Sequence, residues 1–381
     1  MNNSNKMAAL LSNVTRHPEL SPLTDERPIA TLPFDCKYRL IDFPLSSLSN
    51  AHVDSVFMTF NEGETQSVFD HLGAGSEWGF DSFNSRYFVY IQQDFDRLKA
   101  KGDSYFNQHI NFLKRSKAPF TVLIGSKFIC NVDLNSVLKI HKKNGKPVTA
   151  VYKKVAPEIA ATDDTILRFE EDGHATGQYK RDIEQFEEKE ALGVNVFIVD
   201  TEWLIAFIEK MQEQGEIASI ASLIRLHFNE IEVNTYEYTG YMSNITDVKS
   251  YYDANMAMLE PANFTSLLYS SQPVLTKIKN EVPTYFSKAS KVTNSQLGSG
   301  CIVEGSVDSS LISRGTNIGT GAVIEHALVC TSSEIKENAT VKYAIIDKNA
   351  VIENGVSVIG SLEHPIVIPK NTVVTEDVIK A

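Results

Sequence analysis

Two loops carry residue types that bear directly on phosphate chemistry. The loop after the apolar run Met7–Leu11 reads Leu11-Ser12-Asn13-Val14-Thr15-Arg16-His17-Pro18-Glu19-Leu20. A phosphate cradle at this place in an α/β chain uses glycines, because their N–H groups approach the anion with no Cβ in the way. This loop has none: Val14 adds β-branched bulk, Pro18 lacks an N–H and Glu19 repels a phosphate. Arg16 offers a cation there, with an ordinary solvated arginine as the plainer reading. The second loop, Gly125-Ser126-Lys127-Phe128, follows the apolar run Phe120–Ile124 and presents an ammonium. Magnesium takes oxygen ligands, and an ammonium can only donate.

These loops matter because of the elements that must hold them. From Met7 to about Val248, short strand-like runs alternate with helical patterns, the arrangement of a mostly parallel, doubly wound sheet covered by helices. Strands are expected at Met7–Leu11, Ser55–Phe60, Phe120–Ile124, Val148–Tyr152 and Val194–Val199. Helices are expected at Ser104–Lys114, Asn135–Asn144, Glu202–Gln214 and Ser219–Phe228. Ligands of such sheets bind at the carboxyl ends of the strands, which is where both loops fall.

From about Lys291 the helical spacing ends. Aliphatic residues recur six apart at Leu297 and Val303, at Ile312, Ile318 and Ile324, at Ile335 and Val341, and at Ile345 and Val351. A six-residue period of this kind specifies a parallel β-helix built of hexapeptide repeats, here expected to be left-handed. The segment from Asn255, with Pro261, Pro273 and Pro283, reads as a linker. The expected domains are therefore 1–254, a linker over 255–290, and the β-helix over 291–381. Its exposed strand edges suit subunit contacts, with capping by Ile366–Ala381 as the simpler alternative.

Composition narrows the function classes. A length of 381 residues exceeds what one core usually supports. The net charge of -12 argues against a nucleic-acid surface, which needs clustered Lys and Arg. The apolar stretch Ala8–Leu11 is too short for a signal peptide or a membrane span, so a cytoplasmic protein is expected. Cys36, Cys130, Cys301 and Cys330 form no CxxC pair, which speaks for free thiols over zinc or a disulfide framework.

The order of domains and several motifs resemble the bacterial glucose-1-phosphate adenylyltransferases (ADP-glucose pyrophosphorylases). Ser21-Pro22-Leu23-Thr24-Asp25-Glu26-Arg27 is similar to that family's PLTxxR segment, and Leu32-Pro33-Phe34-Asp35-Cys36-Lys37-Tyr38-Arg39-Leu40-Ile41-Asp42-Phe43-Pro44-Leu45-Ser46 to its VPFGGKYRIIDFPLS stretch. Lys101-Gly102 looks like the start of its KGTADA segment, and Ser250-Tyr251-Tyr252-Asp253-Ala254-Asn255-Met256 like its DSYxEANM helix. The likeness is weakest over Asp172–Glu190, where Glu187-Glu188-Lys189 aligns loosely with the EKP motif.

The resemblance implies a nucleotidyltransferase fold, a reaction joining ATP to glucose 1-phosphate, and a site that neutralises charge with a glycine-rich loop, a lysine and two magnesium-holding carboxylates. It also implies that those groups are missing here. Ile29 stands at the phosphate-binding lysine, Lys127 and Phe128 at the Asp and His of SGDH, and Asn244 at the carboxylate of WRDVGT, with Asp247 nearby but displaced. No catalytic residue and no bound magnesium are then expected, and the chain is similar to the family's GlgD-type, non-catalytic regulatory subunit. Lys127 could still act as a built-in cation for a bound phosphate. The implied partner is the catalytic subunit in a heterotetramer, with a homo-oligomer when alone, and neither nucleic acid nor membrane. Arg27, Lys37 and Arg39 match the segments that bind anionic effectors such as fructose 1,6-bisphosphate, with surface ion pairs as the alternative for any one of them. Lys101 and Lys189 match sugar-phosphate positions. A weakly active adenylyltransferase with shifted residues and a stand-alone sugar-phosphate sensor are the competing functions.

Overall fold

The computed structural model describes residues 3–82, 85–170 and 175–380. The polar start at Met1, residues 172–174 of the weakly matching segment, and the terminal Ala381 lie outside the described residues. The chain forms two compact units that interleave in sequence: Met1–Arg16, Ile41–Asn244 and Ser271–Leu275 make the first, and His17–Leu40, Ile245–Ser270 and Thr276–Ala381 the second. This division differs from boundaries at 254 and 290, because His17–Leu40 packs with the C-terminal part of the chain. The expected linker is also structured, holding the helix Pro261–Leu268 and the strand Tyr285–Phe286.

The first unit is built on a nine-stranded sheet. Met7–Ser12 lies between Ser55–Phe60 and Phe120–Ile124, parallel to both, and Arg86–Ile91 extends that parallel half beyond Ser55–Phe60. The other half is mostly antiparallel: Glu190–Asp200 runs antiparallel to Phe120–Ile124, Val148–Val155 and Thr165–Phe169, while Val233–Glu237 pairs in parallel with Val148–Val155. The sheet is thus mixed, a pattern that apolar runs alone do not distinguish because both kinds of central strand are buried on two faces. Its helices start and stop on local signals. Asp133 caps Leu134–Asn144 by accepting from the N–H groups of Asn135 and Ser136, and Gly145, at φ 67°, ends it. Ser219 caps Ile220–Leu226, which gives way to a 3-10 turn at Phe228–Glu230 before the expected end at Phe228. The expected first helix is shifted, to Asn107–Ser116.

In the second unit every coil of the β-helix pairs in parallel with the next: Ile302 over Asn317, Asn317 over Glu334, Glu334 over Val351 and Val351 over Val373. Val303, Ile318, Ile335, Ile352 and Val374 point inward along this face. The six-residue series therefore slips by one residue at its end, since Ile352 rather than Val351 enters the core. The cause is at Ile345, which is buried but lies outside the core cluster, in register with Leu328 and Leu311. Ile346 takes the inward position, and the helix Val248–Met256 packs against the strand Val323–Val329 of the same unit. Stacking leaves no room at some turns: a Cβ on Gly305 would lie 2.5 Å from the Ala322 carbonyl oxygen.

Candidate functional site

Because Met7–Ser12 and Phe120–Ile124 are neighbours with Leu11 opposite Ile124, the loops that follow them leave the same end of the sheet. They touch closely enough that a Cβ on Gly125 would sit 3.1 Å from the Ser12 carbonyl oxygen. Asn13 locks the pair. Its side-chain oxygen accepts from the Ser126 N–H at 3.0 Å, while its own N–H donates to Thr59 O at 3.0 Å. Asn61 Nδ2 donates to Val14 O at 3.0 Å. Arg16 is largely exposed, 3.9 Å from Glu64. Where a phosphate cradle would turn N–H groups outward, this loop turns that of Asn13 into the sheet's own framework. Ser12 Oγ, Asn13 Nδ2 and Ser126 Oγ are buried here without a hydrogen-bond partner.

The two positions matched to metal-binding carboxylates converge. The short strands Phe128–Ile129 and Ser243–Asn244 pair antiparallel with Asn244 opposite Phe128, which brings Asn244 beside Lys127. Between their side chains lies Asp164, from the turn before Thr165–Phe169 and 1% exposed. Its Oδ1 accepts from the Lys127 ammonium at 2.5 Å. Its Oδ2 accepts from Asn244 Nδ2 at 2.6 Å and from the Ala161 N–H at 2.8 Å. Asn244 Nδ2 also donates to Ile159 O at 2.9 Å. Asp164 therefore accepts from one cation and two neutral donors. Magnesium does not fit this set: the one carboxylate is charge-paired with an ammonium and faced by hydrogen-bond donors, and Asn244 Oδ1 is the only unpartnered side-chain oxygen these three residues leave, where a hard cation needs several oxygen ligands. The same pairing takes one of the three donors of Lys127 and balances its charge, so in the built-in cation reading a phosphate would have to share the ammonium with Asp164. Asp247 is committed as well, capping Val248–Met256 through a hydrogen bond from the Ser250 N–H at 2.7 Å.

The other matched residues belong to the second unit or lie on the surface of the first. Ile29 is buried in a 3-10 turn, as an apolar residue should be. Arg27 is buried, and its guanidinium donates to Asp347 Oδ2 at 2.6 Å and to Leu23 O at 2.9 Å. Burial opposes its charge, but Asp347 outweighs burial and holds the group above the usual arginine value. Arg27 is thus a structural ion pair in this fold. Lys37 is exposed, and Arg39 donates to Thr31 O at 2.6 Å. Three cations that no motif marked share their electrostatic neighbourhood: Lys279 is pushed below its ordinary value first by burial and then by Arg314, Arg39 and Lys348, with Glu281 opposing. Arg314 also donates to the Lys37 carbonyl at 3.4 Å. In the first unit Lys101 ends the helix Gln92–Ala100, exposed. Lys189 is exposed as well and bears electrostatically on Lys153, whose ammonium donates to Gly240 O at 2.7 Å.

Asp35 and Cys36, which stand where the resembled motif has two glycines, keep the backbone of glycines: φ is 47° and 58°. Burial raises the Asp35 carboxyl to about 7, against the pull of Lys37.

The family described as Nucleotidyl transferase matches residues 18–260, and the family described as GlmU-like, C-terminal hexapeptide matches residues 282–377. The chain belongs to the nucleotidyl transferase family, with a hexapeptide β-helix at its C-terminal end. Within that family it is similar along nearly its whole length to the glycogen biosynthesis protein GlgD of Bacillus subtilis, 27% identical over 97% of both chains. GlgD of Geobacillus stearothermophilus is 29% identical over 84% of this chain and 83% of its own. A glucose-1-phosphate adenylyltransferase of Desulfitobacterium hafniense is 26% identical over 94% of this chain and 93% of its own.

Proposed function

We infer that the chain serves glycogen biosynthesis as a regulatory, non-catalytic subunit of ADP-glucose pyrophosphorylase, the enzyme that converts ATP and glucose 1-phosphate to ADP-glucose and diphosphate. The observation that carries this reading is the closed Lys127–Asp164–Asn244 contact at the positions matched to the metal-holding carboxylates. Metal-assisted charge neutralisation contributes several kcal/mol to such a transfer. A site that offers donors in place of ligands forgoes it. With no glycine cradle and Ile29 at the lysine position, two further sources of charge neutralisation are replaced.

The partner is a catalytic adenylyltransferase subunit in a heterotetramer, with self-association when that partner is lacking, and the compartment is the cytoplasm. Among the described residues no helix is long and apolar enough to cross a membrane, and the net charge of -12 suits a soluble protein. A protomer with the enzyme's shape controls its partner when effector binding favours one of the partner's conformations over the other. The group of Lys37, Arg39, Lys279, Arg314 and Lys348 supports an anion site for fructose 1,6-bisphosphate. Arg27 supports it from behind, through Asp347, the neighbour of Lys348.

Purified chain given ATP, glucose 1-phosphate and magnesium should make no ADP-glucose, whereas co-expression with a catalytic subunit should yield a complex of raised activity. Steady turnover by the chain alone would support the weakly active enzyme and end this reading. Failure to co-purify with a catalytic subunit would support the stand-alone sensor. Arg39→Ala or Lys348→Ala should flatten activation by fructose 1,6-bisphosphate, and an unchanged activation curve in both would remove the effector site.

A further inference from the structure

A groove of about 520 Å³ lies on the first unit, lined by Lys6, Arg86, Phe88, Gln108, Asn111 and Arg115 among others. Its position sets it apart from the loops described above. Lys6 precedes the strand Met7–Ser12, Ser55 opens Ser55–Phe60 and Arg86 opens Arg86–Ile91, three parallel strands, so the groove sits at their amino ends. Arg115 and Ser116 close the helix Asn107–Ser116 at the same end. Lys127 follows the carboxyl end of Phe120–Ile124, at the opposite edge of the same sheet.

The lining has a definite chemistry. Three cations, Lys6, Arg86 and Arg115, line it, and among its described lining residues there is no carboxylate, on a chain whose net charge is -12. A nearby carboxylate, Asp54, is 3.9 Å from Lys6, a separation at which an exposed pair contributes little. Phe88 belongs to the last strand of the sheet, is 40% exposed, and is braced edge-on by Phe112 with ring centroids 6.1 Å apart. Gln108 and Asn111, three apart on one helix face, each offer a donor and an acceptor. Guanidinium groups pair with phosphate oxygens through two parallel bonds, a flat ring stacks on an aromatic face, and side-chain amides match the mixed edge of a heterocycle. The volume falls within the range of small-ligand sites.

We propose that this groove binds a nucleoside phosphate, with the phosphates held by Arg86, Arg115 and Lys6 and the base laid on Phe88 against Gln108 and Asn111. The site is independent of the unit-two cation group and of the glycogen reading. The test is equilibrium dialysis of the full chain with ADP, adenosine and inorganic phosphate as separate probes, without divalent metal. ADP should bind more tightly than either fragment. Arg115→Glu, at an exposed position, should weaken ADP at least about tenfold. Phe88→Ser should weaken ADP while leaving phosphate unchanged, and Arg39→Ala in the other unit should leave ADP binding intact. Far-UV circular dichroism checks that each variant folds. ADP binding that survives Arg115→Glu, that disappears in Arg39→Ala, or that is no tighter than that of inorganic phosphate would overturn the proposal, as would no binding of ADP at all.

Discussion

Breaking the Lys127–Asp164 pair from its two ends should give strongly non-additive losses of stability. Asp164→Ala removes the acceptor of the Lys127 ammonium, of Asn244 Nδ2 and of the Ala161 N–H together. Asn244 keeps Ile159 O, but the ammonium is left with a side chain only 16% exposed. Removing one partner of a buried pair costs about 3–5 kcal/mol, and the partial exposure of Lys127 puts this variant near the lower figure, about 3 kcal/mol. Lys127→Met leaves Asp164 two neutral donors and should cost about 2 kcal/mol. The double variant Lys127→Met/Asp164→Ala strands no charge and should lose less than the two singles together, by about 2 kcal/mol. Urea unfolding followed by tryptophan fluorescence reads the right unit, because the chain's two tryptophans, Trp78 and Trp203, both belong to it. A coupling below about 0.5 kcal/mol would show that the contact does not hold the site closed.

Replacing Lys127 and Asn244 together by Asp should surround one point with three carboxylates. The apo protein should then lose stability and regain it with magnesium or manganese, by about 2.7 kcal/mol at 100 times the dissociation constant; a midpoint indifferent to divalent ions would contradict the assignment of these positions. Asp35 makes stability fall as pH rises: burial keeps its proton on in the folded chain to about pH 7, whereas the unfolded chain releases it near 3.8. The associated stability is present below pH 4 and lost by pH 7, up to about 4 kcal/mol. Asp35→Asn, which tolerates the left-handed backbone, should therefore gain on the wild type between pH 5 and 8 in parallel urea titrations, and a constant difference would refute the cause. Gly305→Ala should destabilise the β-helix by more than about 1 kcal/mol, read by calorimetry, since its Cβ meets the backbone carbonyl of Ala322.

Periodicity made most of the fold legible. Ser55–Phe60 and Phe120–Ile124 end where their apolar runs end, because short buried strands are bounded by polar turns on both sides. The direction of Glu190–Asp200 was not legible, since its alternation is the same whichever way its neighbour runs. Nor was the inward choice between Ile345 and Ile346, both fully buried, because the strand is covered on its outer side too. At the site, motif matches led to Lys127 and Asn244, and the structure joins them. Asp164 carries no such mark: it stands in an irregular turn, and only tertiary contact gives it a role. Lys279, Arg314 and Lys348 are spread along the chain and meet Arg39 only once the coils stack. Arg27 is a matched cation whose inward pairing with Asp347 no motif could reveal.

The Lys127–Asp164 contact also works as a ratchet on sequence drift. A carboxylate restored at position 127 alone would face Asp164 as a like charge in a nearly water-free spot, and a neutral residue at 164 alone would strand the ammonium. Neither single step leads back toward a metal-holding site without a loss of folding stability on the way. A metal-holding site at this place would therefore need paired changes at positions 127 and 164.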